Sequence, residues 1–255
     1  MKVKKILISQ PKPAELEKSP YTALSDKYNL EVEYKKFIKV EGIKGAEFRQ
    51  FKVNILDHSA IIFNSRKAVD HFFRISEEMR LEIPDTMKYF CISEATAYYL
   101  QKYVQYRKRK IFHGRQNFND LMELIKKHKK EKFLLPCSES NSNEIPAMLE
   151  KGKIKYSKAF IYRTLSEDLS DIKVNDYDML VFFSPSGVKS LFDNFTDYSQ
   201  DGQLIAIFGP STIKEAEDRG LKVNVKAPNR KAPSMSMAID QFLDEERKKR
   251  RRKKK

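Results

Sequence analysis

The sequence has only two cysteines and four histidines among its 255 residues. Cys91 and Cys137 are too few and too widely separated for a disulfide framework or a zinc-ligand set, so both read as reduced, buried thiols. His58, His71, His113 and His128 are scattered without ligand spacing, which leaves them surface or structural roles. No apolar stretch approaches the roughly 20 residues that a membrane-spanning helix needs. The chain runs from Met-Lys-Val-Lys-Lys into a strand-like ILIS without a cleavable signal pattern, so a cytoplasmic protein with no membrane partner is expected. No glycine-rich nucleotide fingerprint precedes any helix. With no metal cluster and no nucleophile–base pair in view, neither a metal nor a cofactor is expected.

What is present suits a folded protein. Apolar residues make up 40% of the chain, near the ordinary globular range, and the length fits one large domain or two smaller ones. The formal net charge is +15, but residues 247–255 (RKKRRRKKK) carry nine of these charges, leaving +6 for the rest. Two readings of that run stay open: a solvated, disordered extension, or a contact for a polyanion. The moderately basic body suits an acidic small molecule, whose local concentration a positive field raises.

An internal repeat organises the chain. Leu180 to Phe192 reads LVFFSPSGVKSLF and Ile61 to Phe73 reads IIFNSRKAVDHFF, sharing Phe, Ser, Val and Phe at equivalent places. FCISEATAYYL from Phe90 and AIFGPSTIKEA from Ala206 follow, with Thr96 and Thr212 coinciding. A strand, a hydroxyl-rich turn and a helix repeated at domain-sized separation predict two similar α/β domains. Each is a mostly parallel sheet flanked by helices, with its turns on one edge facing a shared cleft. The Val32–Val40 stretch alternates apolar and charged residues like an exposed ribbon, and pairing with Lys158–Thr164 would make a two-stranded linker. One domain then comprises residues 1–38 and 166–246, the other residues 39–165. Pro20 splits a helical pattern over Ala14–Tyr28, and the last helix is expected over Ser234–Glu246.

The hydroxyl-rich turns carry the chemistry. Ser184-Pro185-Ser186-Gly187 places hydroxyls and unpaired backbone N–H groups at a helix start, where a carboxylate or phosphate is favoured; the alternative is that its serines only cap their own helix. Gly209-Pro210-Ser211-Thr212 repeats the arrangement after the next strand, and Ser65-Arg66-Lys67 and Ser93–Thr96 are the counterparts in the middle domain. Arg66 and Lys67 either meet carboxylates across the cleft or face water. Tyr98–Lys110 interleaves tyrosines with cations, fitting nucleic-acid stacking or an amphipathic helix end.

LVFFSPSGVKSLF, IAIFGPSTIKEAEDRGLKVNV (Ile205–Val225), Ile161-Tyr162-Arg163-Thr164, KFLLP (Lys132–Pro136) and ILISQPKP (Ile6–Pro13) together resemble the uroporphyrinogen-III synthase family over roughly residues 3–243. The resemblance implies two α/β domains joined by a two-stranded linker, and a lyase that closes the linear hydroxymethylbilane into uroporphyrinogen III with loss of water and inversion of ring D. It implies Tyr162 as general acid for the departing hydroxyl, with a linker tyrosine packed on its neighbours as the alternative. It implies substrate contacts at Ser184, Ser186, Gly187, Gly209 and Thr212, and Ser65 joins them through its correspondence with Ser184. The family also implies a monomer in tetrapyrrole (haem) biosynthesis with hydroxymethylbilane as partner, and the upstream hydroxymethylbilane synthase is the candidate protein partner. Nucleic acid is not expected, though a non-catalytic polyanion-binding protein using the basic segment is the rival reading. Gln10, Ser93-Glu94 and Cys137-Ser138-Glu139 depart from the family's usual Arg, Gly-Pro and Arg-Gly-Asp.

Overall fold

The computed structural model describes residues 3–115, 117–139 and 144–253. It divides into two units, Met1–Lys39 with Leu165–Lys255, and Val40–Thr164. The chain begins with β1 (Lys5–Ile8), α1 (Thr22–Tyr28), β2 (Glu31–Tyr34) and β3 (Ile38–Gly42). The middle unit continues with α2 (Gly45–Phe48), β4 (Ala60–Phe63), α3 (Arg66–Glu78), β5 (Lys88–Cys91), α4 (Glu94–Leu100), β6 (Ile111–His113), α5 (Phe118–Lys127), β7 (Phe133–Ser138) and α6 (Glu144–Lys151). After β8 (Tyr156–Ser166) come β9 (Met179–Phe182), α7 (Pro185–Asn194), β10 (Leu204–Phe208), α8 (Pro210–Asp218), β11 (Val223–Ala227) and α9 (Met235–Lys253).

The first unit holds a five-stranded parallel sheet in the order β11-β10-β9-β1-β2. The second holds a six-stranded sheet, β3-β8-β7-β4-β5-β6, whose β4, β5, β6, β7 and β8 pair in parallel. Strands β4 and β9 are buried along their whole length, as expected where helices cover both faces of a parallel sheet. Side chains alternate between the two faces. Ile61 and Phe63 pack with α3 and α4, whereas Ala60 and Ile62 pack with α5. In the first unit Met179 and Val181 join α1 and α9, and Leu180 and Phe182 join α7 and α8. Phe63 and Phe182 are fully buried, and truncating either to alanine removes about 3–5 kcal/mol. Among the described residues no helix is long and apolar enough to cross a membrane.

In each sheet the direction of strand addition reverses once, between β1 and β9 in the first unit and between β4 and β7 in the second. Such reversals open a crevice at the carboxyl ends of the two central strands. The loops there carry Ser9 and Ser184 in one unit and Ser65 in the other, where β7 ends at Ser138.

Two local expectations are corrected. The Val32–Val40 ribbon is two strands: β2 pairs in parallel with β1, and only β3 lies beside β8. Charges in β2 mimic exposure, yet Glu33 is bonded to Lys5 (2.7 Å) and the Tyr177 hydroxyl (2.5 Å). The last helix also does not stop at Glu246, since α9 is helical through Lys253, so residues 247–253 are not a disordered tail. Lys and Arg are good helix formers and suit the negative end of the helix dipole. Pairs from Asp244 to Lys248 (2.7 Å) and Glu246 to Lys249 (2.8 Å) add to this.

Helix α3 is pinned by one arginine. Arg74 Nη2 donates to the carbonyls of Ile43 (2.7 Å) and Ile161 (3.2 Å), and Nη1 meets Glu78 Oε2 at 2.7 Å. Glu78 Oε1 in turn accepts from the Gly45 N–H at 2.6 Å. A Cβ on Gly42 would stand 2.6 Å from Arg74 Nε and 2.7 Å from Cζ, so the glycine makes room for the guanidinium. Gly42→Ala is expected to cost about 1–3 kcal/mol, the scale of hydrogen bonds to a charged group. Urea unfolding of Gly42→Ala, Arg74→Ala and the double variant should give losses well short of additive; full additivity would disconnect the two residues.

Candidate functional site

The predicted serines sit at helix starts that directly follow strands. Ser65 is the N-cap of α3, its Oγ accepting from the Ala68 N–H at 3.1 Å. Ser93 caps α4 by accepting from the Thr96 N–H at 3.3 Å. Ser184 caps α7 by accepting from the Gly187 N–H at 3.1 Å, with Pro185 in the first turn where its missing donor costs nothing. Each serine spends acceptor capacity on its own helix, and Ser93 Oγ also shares a hydrogen bond with Thr96 Oγ1 at 3.2 Å.

Gly209 differs. It is the N-cap of α8 at φ +91°, a conformation that favours glycine, and it offers no side-chain cap. The first-turn amides of α8 therefore lack the partner that Ser184 supplies in α7. Thr212 is only 1% exposed, so its side chain belongs to the packing beneath this turn. Ser186 is half-buried and Gly187 buried. A Cβ on Gly187 would lie 3.4 Å from Ser184 Oγ and 3.7 Å from Ser9 Oγ, which brings Ser9, at the end of β1, into the same corner.

Tyr162 owes its direction to a fault in the β7–β8 ladder. Cys137 pairs with Phe160 but Ser138 pairs with Tyr162, so Ile161 is bypassed. Such a bulge re-aims the side chain beyond it. Ile161 and Tyr162, although consecutive, both pack against the α3 face of the sheet. There the Tyr162 ring stacks on His71, with centroids 5.0 Å apart and planes at 24°. Burial raises the Tyr162 pKa above the usual phenol value, and an interaction with the Ser65 side chain partly offsets this. His71 is shifted the other way, because burial and the Arg74 and Lys67 cations disfavour its charged form while Asp70 opposes them. Arg74 Nε is 3.4 Å from His71 Nδ1, which makes Nδ1 the acceptor and places the ring proton on Nε2. Tyr162, Ser65 and His71 thus form one cluster in the middle unit, with a neutral phenol beside a neutral imidazole.

Sequence reasoning missed three contributors. His71 belongs to a polar stripe at helical spacing, Lys67, His71, Arg74 and Glu78, which marked the face of α3 turned toward β8. Asn64, whose buried Oδ1 has no hydrogen-bond partner among the described residues, stands where the repeat has Phe183. For Ser9 the only signal was its place at the end of a strand.

Other sequence features resolve simply. Arg66 and Lys67 are exposed, with the Arg66 guanidinium over the Tyr99 ring at 5.4 Å. Tyr99 and Tyr103 both donate to Asp70 Oδ1, at 2.8 and 2.7 Å, and Tyr103 stacks on Phe73 at 4.5 Å. These rings therefore face α3, while Tyr98 remains 76% exposed. His128 packs against Phe90 and Phe112, and the Nδ1 atoms of His58 and His113 meet main-chain carbonyls. Cys91 and Cys137 are buried thiols pushed up by burial to about 12 and about 11. No group of His, Cys, Asp or Glu among the described residues could hold a metal ion.

In structure, the chain is similar to uroporphyrinogen-III synthetase from Helicobacter pylori, at TM-score 0.58 and 15% identity over 94% of this chain and 99% of that one. A mutant uroporphyrinogen III synthase from the extremely thermophilic bacterium Thermus thermophilus gives TM-score 0.55 and 12% identity over 95% and 99%. At such identities the likeness speaks for the fold: two mostly parallel sheets flanked by helices. No curated protein matches in sequence. Residues 37–236 match the family described as Uroporphyrinogen-III synthase HemD. That match covers most of the chain, and the chain belongs to the uroporphyrinogen-III synthase family.

Proposed function

We propose that the protein is a lyase that closes hydroxymethylbilane into uroporphyrinogen III, with loss of water and inversion of ring D. The observation that carries this reading is Tyr162, turned by the bulge onto the face of Ser65 and His71 and kept protonated by burial. The substrate supplies its own reactivity, because a hydroxymethylpyrrole that loses its hydroxyl becomes an azafulvene-type cation. The phenol gives its proton to the departing hydroxyl, which leaves as water. The proton lost from the attacked pyrrole carbon balances that donation. Nothing more is asked of the acid than position and a neutral state at pH 7.

The remaining task is conformational. The substrate carries many carboxylate arms, and helix starts at Ser65, Ser184 and Gly209 offer hydroxyl and amide donors for them. Ser186 and Gly187 extend the first turn of α7, and Thr212 supports the turn at Gly209 from below. Held in this way, the chain attacks through the ring position that inverts ring D, and positioning carries most of the rate advantage. The lyase reading extends the family assignment to one reaction.

Anaerobic incubation with freshly made hydroxymethylbilane and separation of the product isomers tests the proposal. The type III isomer is expected in excess; type I alone, the spontaneous product, would refute the activity. Tyr162→Phe should lower turnover about 10²-fold or more, on the scale of general-acid catalysis, while Thr212→Ala, which alters only packing, should lose much less. The pH dependence follows from the raised phenol pKa: the acid stays protonated through neutral pH, and any alkaline fall due to Tyr162 begins above about 10, the ordinary phenol value. A fall centred well below that, persisting in Tyr162→Phe, would assign the acid elsewhere.

A further inference from the structure

The groove at the end of α9 is separate from the loops that carry Ser9, Ser184 and Gly209. It encloses about 460 Å³ and is lined by Lys27, Tyr28, Leu243, Arg247, Arg250 and Arg251, with Asp26 among the remaining lining residues. Val3 and Leu30, which precede β1 and β2, also line it. It therefore lies at the amino ends of the strands of the first unit. Ser9, Ser184 and Gly209 follow the carboxyl ends of the same strands, on the opposite edge of the sheet.

The helix changes character along a single stripe. Met235, Ala238, Ile239 and Leu243 are buried in the core, and continuing that spacing brings Arg247, Arg250 and Arg251 over the groove. The flanking lysines are neutralised, Lys248 by Asp244 and Lys249 by Glu246, and Lys27 is paired with Asp240 at 2.6 Å. By contrast, among the described residues no carboxylate pairs with Arg247, Arg250 or Arg251; Arg250 Nε has only the Glu246 carbonyl, at 3.4 Å. Three guanidinium groups that form no ion pair among the described residues thus line one concave surface, although Glu246 lies near enough to Arg250 to feel its charge. The surface also holds the Tyr28 ring, with the Lys27 ammonium 5.1 Å from its centroid.

We propose that this groove binds single-stranded nucleic acid, its phosphates taken by Arg247, Arg250 and Arg251 and a base resting against Tyr28. Guanidinium forks match phosphate oxygens in pairs. A basic groove with an aromatic ring is the arrangement that holds single strands without sequence preference. A membrane surface fits poorly, because Asp244–Lys253 contains no apolar residue to enter the lipid. The concave, ring-bearing lining likewise favours a strand with bases over an acidic polypeptide.

Fluorescence anisotropy on the full chain tests this with a labelled single-stranded oligonucleotide of about 16 residues, long enough for one such groove. Duplex DNA, polyglutamate and anionic vesicles serve as competitors. Three phosphate contacts predict a log–log salt slope of about −2. Arg247→Ala/Arg250→Ala/Arg251→Ala should weaken binding at least about tenfold and flatten that slope, with helix content checked by circular dichroism. Lys248→Ala/Lys249→Ala, which removes only carboxylate-paired cations, should change affinity less than threefold, roughly. Unchanged affinity in the arginine variant, an equal loss in the lysine variant, or a preference for any of the competitors would overturn the proposal.

Discussion

Both units rest on a mostly parallel sheet whose central strands are buried on two faces. In that setting every residue of a central strand is committed to the core, as in the AIIF of β4 and the MLVF of β9. Around these central strands polar groups emerge mainly in the loops just past the strand ends, where backbone donors lie at helix starts, while Tyr162 reaches the α3 face from within β8. The reaction proposed above suits that restriction, since its substrate would bring its own leaving group and would ask the protein for donors and shape. Arg74 extends the same logic, tying α3, and with it Ser65 and His71, to main-chain carbonyls beside the sheet.

Much of this arrangement was legible in the sequence because burial leaves a strong mark. LVFF and AIIF could only be covered strands, and the serines after them had to begin helices. Pro20 did separate a short 3-10 turn at Leu16–Lys18 from α1. The family resemblance rested on the same strand–turn–helix motifs, and the matched region, residues 37–236, contains most of them. Charge was less faithful than apolarity. The β2 charges suggested an exposed ribbon, though Glu33 is held by Lys5 and Tyr177, and the cationic end of α9 suggested disorder where acidic neighbours one turn away sustain a helix.

The site was harder to read than the fold because its geometry depends on an irregularity. Strict alternation along β8 would send Tyr162 to the sheet face opposite Ile161, away from α3; the slipped register at Ser138 brings it round to the same side. No residue type announces such a slip. His71 was equally obscure, since an isolated histidine on a helix has no ligand spacing to reveal it and gains meaning only when Tyr162 stacks on its ring.

The discontinuous build of the first unit has a consequence during synthesis. Ile6 is paired with Met179 and, on its other side, with Val32, so β1 waits for a neighbour that emerges only after the whole middle unit has been translated. The middle unit, made from one continuous stretch, has all its partners sooner and can condense first. Until β9 arrives, one side of β1 is an unpaired edge on the nascent chain. That interval is when the protein is most exposed to wrong partners.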